Sequence, residues 1–210
     1  MFTRNQKRRP SCEIFNEEKK IKDEDVIIDL MIDAETIQYK INALAAAIEQ
    51  TIMDGERLDI ICVCDGAKRF VSNLMVVLNV KTIVVHNVKV NSYRGVHSED
   101  VVDCSSRSQY EEIANADKIL IIDDIYDTGK TMQYLVAKCR RMGVKNISTC
   151  VLLRRLRSSS IGDDNGRQLD HRFVGFFIDP DSFVVGYGLD YNGKYRDLPY
   201  IGKIIDNNRQ

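Results

Sequence analysis

The stretch Lys118–Thr131, KILIIDDIYDTGKT, limits what this chain can become more than any other. An apolar run, Ile119–Ile122, ends in two carboxylates, Asp123 and Asp124, and a third, Asp127, follows two apolar residues later. Thr128, Gly129, Lys130 and Thr131 come next. Met132, Leu135, Val136, Cys139 and Met142 then recur at helical spacing, and Gly143 is a good stop. A short β-branched run bounded by turn signals reads as a buried strand. The unit is therefore strand, loop, helix, with its polar chemistry at the strand's carboxyl end, where open α/β sheets bind their ligands.

The loop suits a phosphorylated sugar. Backbone N–H groups at a helix start point outward with the positive end of the helix dipole, which favours phosphate. Gly129 allows close backbone approach, and the Thr128 and Thr131 hydroxyls can donate. The carboxylates would repel a phosphate. They suit ribose hydroxyls, or the hydration shell of Mg²⁺, which keeps several waters and takes few carboxylates directly. The glycine and lysine spacing does not match a Walker A loop. An acidic pair before a helix is common in surface turns, and aspartate also caps helices, so Asp127 has a structural reading too. The ordered string as a whole is far more restrictive.

The rest of the chain predicts one α/β domain. Val26–Leu30 reads as a short strand; Asp33 suits an N-cap, and Ile37, Ile41, Leu44, Ile48 and Ile52 follow helical spacing up to Gly55. Leu58–Cys64 reads as a buried strand, Asp65-Gly66-Ala67 as a tight loop, Lys68–Leu78 as a helix and Thr82–Val88 as another strand. Ile147–Leu153 reads as the strand after the central helix. Phe173–Ile178 and Phe183–Gly188 read as short strands around an Asp-Pro-Asp turn, and Tyr200–Ile205 as a last edge strand. Such alternation predicts a parallel sheet with helices on both faces. Residues 1–25 read as a polar, charged tail and 26–210 as the domain, with a hood at about 170–210. Residues 90–108 form a long polar stretch with little periodicity, and loops of that length are functional or disordered.

Composition excludes several classes. A net charge of −1 gives no nucleic-acid-binding surface, and no apolar run is long enough to cross a bilayer. The start of the chain lacks the apolar core of a secretory signal. Six cysteines are scattered, and Cys62 and Cys64 form CxC without a matching pair or a nearby histidine. They read as buried, reduced thiols of a cytoplasmic protein.

The string at 118–131 resembles the phosphoribosyl-pyrophosphate (PRPP) motif of type I phosphoribosyltransferases. A second stretch, Phe173–Leu198 (FVGFFIDPDSFVVGYGLDYNGKYRDL), closely resembles the purine-binding end of the hypoxanthine-guanine branch. With Leu152–Arg155 (LLRR) and the pair Ser92–Tyr93, the match runs in family order from about Val26 onward. The resemblance implies transfer of 5-phosphoribose from PRPP to N9 of a 6-oxopurine, with pyrophosphate leaving. It implies Mg²⁺, a homodimer or homotetramer, and no nucleic-acid or membrane partner.

It also implies roles. Asp127 would be the general base at purine N7, Asp123 and Asp124 would serve the ribose hydroxyls and Mg²⁺ water, and Asp127–Thr131 would cradle the 5′-phosphate. Phe183 would stack on the purine, Val184 would pair with its edge, and Arg154 would donate to O6 in place of the family's usual lysine. Asp190 would be a second Mg²⁺-linked carboxylate on the purine side. Arg196 would bind pyrophosphate together with the Asp65-Gly66 loop, which in the family often contains a non-proline cis peptide. Ser92 and Tyr93 would belong to a lid over 90–108 that keeps water from the reacting ribose.

Arginine for lysine is not a conservative exchange at a directional donor site. Asp65 stands where the family usually has lysine, and aimed inward it would weaken PRPP binding. Two alternatives therefore stay open: a catalytically weak PRPP- or nucleotide-sensing protein on the same fold, and an enzyme selective for xanthine or guanine.

Overall fold

The computed structural model describes residues 21–23, 26–92, 101–156 and 172–205. Its frame is a six-stranded sheet. In spatial order the strands are Val101–Asp103 (β5), Thr82–Ser92 (β4), Arg57–Cys64 (β3), Lys118–Tyr126 (β6), Asn146–Arg155 (β7) and Phe173–Ile178 (β8). β4, β3, β6, β7 and β8 run parallel, and β5 joins the edge antiparallel to β4.

Parallel strands covered on both faces need continuous apolar runs. β3 is buried from Leu58 to Val63 and β6 from Ile119 to Asp123. Alternate residues face opposite layers. Ile60, Cys62, Leu120 and Ile122 pack with Ala34–Glu49 (α1) and Lys68–Val77 (α2). Ile61, Val63, Ile119 and Ile121 pack with Arg107–Ala114 (α3) and Lys130–Arg141 (α4). Each fully buried Ile or Leu contributes roughly 1.5–3 kcal/mol relative to exposure.

A second, four-stranded antiparallel sheet contains Ile21–Asp23 (β1), Val26–Ile32 (β2), Ile201–Ile205 (β10) and Val184–Val185 (β9), in that spatial order. Three expectations change here. Val26–Leu30 is a strand of this small sheet and not of the main one. Tyr200–Ile205 is not an edge, since β10 lies between β2 and β9. The hood expected at 170–210 loses β8 to the main sheet and gains β1, from within the expected tail, and β2. An apolar run such as VIIDLMI fits either sheet, and only pairing decides.

Other boundaries also move. Asp33 caps α1 as expected, accepting from Thr36 N at 2.7 Å. The helix stops at Glu49, so Ile52 lies in the turn that precedes Gly55. Gly143, at φ +95°, follows the last turn of α4. Residues 90–108 are partly regular: β4 continues to Ser92, β5 pairs with it, and Ser106 caps α3 in a reciprocal capping box with Gln109. Tyr93 and the rest of the expected lid tip, 93–100, lie outside the described residues, as does the loop expected at Ser158–Arg167.

Candidate active site

The parallel topology brings the ends of β3 and β6 to one edge of the sheet. A cleft of about 300 Å³ opens there. Asp123, Asp124 and the whole Asp127–Thr131 loop line it, with Gly66 and Val90 on the walls. Gly129, at φ +79°, holds the cap position of α4 without a side-chain hydrogen bond. A Cβ on Gly129 would run into the Tyr126 ring, which would have to shift, and the positive φ itself favours glycine.

Asp123 and Asp124 are adjacent and share a hydrogen bond: Asp124 N donates to Asp123 Oδ1 at 3.0 Å. Burial, reinforced by the neighbouring Asp124 charge, pushes the Asp123 carboxyl well above the usual range. Burial also raises Asp124, against the lowering effect of its hydrogen bonds. Such a pair is suited to a cation or to hydroxyl donors. The Asp124 carboxylate lies against Gly66, where any Cβ would collide with it. The peptide bond between Cys64 and Asp65 is cis.

The Asp65 carboxylate is engaged by two lysines. Lys68 Nζ lies 2.7 Å from Oδ1, and Lys89 Nζ lies 3.5 Å from Oδ2. Hydrogen bonding and charge from Lys68, with Lys89 assisting, hold Asp65 below its ordinary pKa.

Arg154 and Arg155 divide differently from expectation. Arg154 sits over the Tyr126 ring, 5.8 Å from its centroid. Arg155 is the arginine that reaches Asp127, with Nε 3.2 Å from Oδ1, an ion pair too bent for a hydrogen bond. Its Nη1 donates to the carbonyls of Pro180 at 2.8 Å and Ser182 at 2.6 Å, and more weakly to that of Asp179. Neither arginine lines the cleft itself: Arg154 neighbours Tyr126, which does, and Arg155 reaches Asp127, which also does.

Arg155 thereby ties Asp127 to the turn that ends in Phe183. Phe183 is half exposed, 51%, and meets Tyr191 edge-on at 5.4 Å, while Val184 is buried. An exposed aromatic face beside a buried strand residue can take a flat ring. Arg196 pairs with Asp190 at 2.6 Å and donates to Gly188 O at 2.6 Å. Asp190 also accepts from Gly193 N at 2.9 Å. Among the described residues no three Asp, Glu, His or Cys side chains converge as a metal cage. The adjacent Asp123 and Asp124 carboxylates are a donor set that suits a hydrated ion. Ser92 ends β4 beside the cleft wall formed by Val90.

Residues 31–192 match the family model described as the phosphoribosyl transferase domain. A hypoxanthine-guanine phosphoribosyltransferase of Mycobacterium avium is 33% identical over 183 residues, covering 85% of this chain and 86% of that protein. The chain belongs to the phosphoribosyltransferase family, in its hypoxanthine-guanine branch. A Bacillus subtilis member of that branch is 35% identical over 176 residues, covering 82% and 91%. The crystal structure of a Bacillus anthracis hypoxanthine-guanine phosphoribosyltransferase superposes with a TM-score of 0.70 at 27% identity, covering 89% of this chain and 98% of that one. The phosphoribosyltransferase cleft lies at the carboxyl edge of the sheet, as the sequence motif required.

Proposed function

We propose that the protein is a purine-salvage enzyme that transfers 5-phosphoribose from PRPP to N9 of hypoxanthine or guanine, giving IMP or GMP and pyrophosphate. The observation that carries this reading is the Arg155 link. It joins a carboxylate in the phosphate-binding loop to the turn presenting Phe183, so a base stacked on Phe183 lies beside Asp127.

Asp127 accepts the N7 proton, which raises the nucleophilicity of N9. Arg155, which reaches Asp127, and not Arg154, meets O6. The Thr128–Thr131 backbone and hydroxyls hold the 5′-phosphate at the start of α4. Asp123 and Asp124 hold the ribose hydroxyls, and Gly66 and Arg196 face the pyrophosphate. Bound Mg²⁺, held through Asp190 and through water on Asp123 and Asp124, would neutralise charge on the leaving pyrophosphate. The reaction centre is cation-like, so positioning and charge neutralisation supply most of the acceleration.

The described cysteines are free thiols and no described helix is long and apolar enough to cross a membrane. Free thiols support a cytoplasmic setting. The family resemblance supports a homodimer or homotetramer. The sensor alternative drew on Asp65 and Arg154; the first is screened by Lys68 and Lys89, and the second is turned toward Tyr126.

The test is steady-state turnover with PRPP and Mg²⁺ on hypoxanthine, guanine and xanthine. Asp127→Asn is expected to lower kcat by about 10²–10⁴-fold, the range for a lost general base. PRPP binding without turnover on any base would replace this reading with the sensor.

A further inference from the structure

α2 begins directly after the Cys64–Ala67 loop, and its second residue is Arg69. Arg69 Nη1 donates to the carbonyls of Asp197 at 3.0 Å and Leu198 at 2.9 Å. The guanidinium also lies over the Tyr187 ring, 4.9 Å from its centroid. One turn further along α2, Asn73 Nδ2 donates to the Tyr187 hydroxyl at 2.5 Å. Tyr187 is buried and sits at φ +52°. α2 thus grips residues 187–198 at the ring and at the backbone.

The gripped segment is folded back on itself. Tyr187 N donates to Leu198 O and Gly188 N to Arg196 O, both at 2.9 Å. Gly188 also abuts the other partner: a Cβ there would collide with the carbonyl oxygen of Gly66. The carbonyl of this same Gly188 receives Arg196 Nη1. The chain of contacts is closed. Gly66 touches Gly188, Gly188 holds Arg196, Arg196 is one residue from Asp197, and Asp197 and Leu198 are held by Arg69 on the helix that Gly66 introduces.

Phe183 and Val184 have separate anchors. Arg155 holds the turn before them, and β10 holds them through Ile204 N to Phe183 O at 2.8 Å and the Val184–Lys203 pairing.

We propose that Arg69 is a positioning residue for pyrophosphate. It sets the spacing between the Gly66 loop and Arg196, the two halves of the pyrophosphate clamp, without touching the ligand. This rests on the proposed reaction. The anchors differ: α2 holds the segment that carries Arg196, and Arg155 with β10 holds the turn and strand that carry Phe183 and Val184.

The experiment uses the full-length protein with PRPP, hypoxanthine and Mg²⁺, and reads product inhibition by inorganic pyrophosphate. In Arg69→Met, KM for PRPP and Ki for pyrophosphate are expected to rise about fivefold or more, while KM for hypoxanthine stays within about twofold. Arg69→Lys, which keeps a donor, is expected to recover part of the loss. In an Arg196→Met background the further change Arg69→Met is expected to add less than about twofold, because the two act as one unit. Asn73→Ala, which removes only the Tyr187 hydroxyl contact, gives the same pattern at smaller size and serves if Arg69→Met does not fold. Equal changes in both substrates' KM, or full additivity with Arg196→Met, would overturn the assignment and leave Arg69 as a fold-stabilising contact. A wild-type protein without turnover would overturn the proposed reaction itself, and this inference with it.

Discussion

A single residue of register separates the two arginines at the end of β7, and it decides which of them reaches Asp127. Arg155 has little solvent exposure, 11%, and four polar contacts, whereas Arg154 has a ring neighbour. Arg155→Met is expected to raise KM for the base at least about tenfold, as loss of a directional charged donor does, and Arg154→Met less than about threefold. Steady-state kinetics with saturating PRPP checks both; a larger effect at Arg154 would return the O6 contact to it. Asp65 is a second residue-scale question. It is 44% exposed and bridged by two lysines. Charges several ångströms apart in water interact by about 1 kcal/mol or less, so Asp65→Asn is expected to lower KM for PRPP by roughly two- to threefold. An unchanged or higher KM would remove Asp65 from the pyrophosphate's surroundings. The carboxylates of the PRPP loop were legible in sequence because their identities and order carry the signal. The direction of Asp65 and the choice between Arg154 and Arg155 were not, because both depend on where neighbouring strands place a side chain.

Among the elements, β5 is the least obvious, and its last residue ties it to two helices. Its last residue, Asp103, accepts from Lys138 at 2.6 Å, Tyr110 at 2.6 Å, Tyr134 at 3.1 Å and Ser105 N at 2.9 Å. It therefore joins the edge strand to α3 and to α4, the helix that starts at the phosphate loop. Burial opposes the Asp103 charge, and hydrogen bonds from Lys138, Tyr110 and Ser105 more than offset that, so its carboxyl is lowered to about 2. A carboxyl depressed in the folded state contributes stability above its unfolded pKa, near 4, and loses it as pH falls through about 2. The contribution is about 2 kcal/mol. Denaturant unfolding between pH 6 and 2 is expected to show this loss in the wild type and a shallower slope in Asp103→Asn. Equal slopes would detach Asp103 from acid stability. No periodicity in these stretches is strong enough to announce β5 or α3. A three-residue strand has too few positions to alternate, and α3 buries only Tyr110 and Ile113. The Ser106–Gln109 capping box was the readable cue.

At the scale of the whole molecule, the main sheet was readable from its apolar runs, because strands covered on both sides tolerate nothing else. The small sheet was not, because its strands come from distant parts of the chain and no local pattern records who pairs with whom. β2 is covered by β10, about 170 residues further along. That pairing sets a schedule for the molecule's birth. A nascent chain can bury the parallel sheet and shape the phosphate loop while β2 still waits with an open edge. The segment carrying Phe183 and Arg196 arrives with the last described strands. Contacts this remote in sequence close slowly, and the unpaired edge is exposed until they do. The cleft-lining loop at 127–131 is thus in place in the chain well before the segment that carries Phe183 and Arg196.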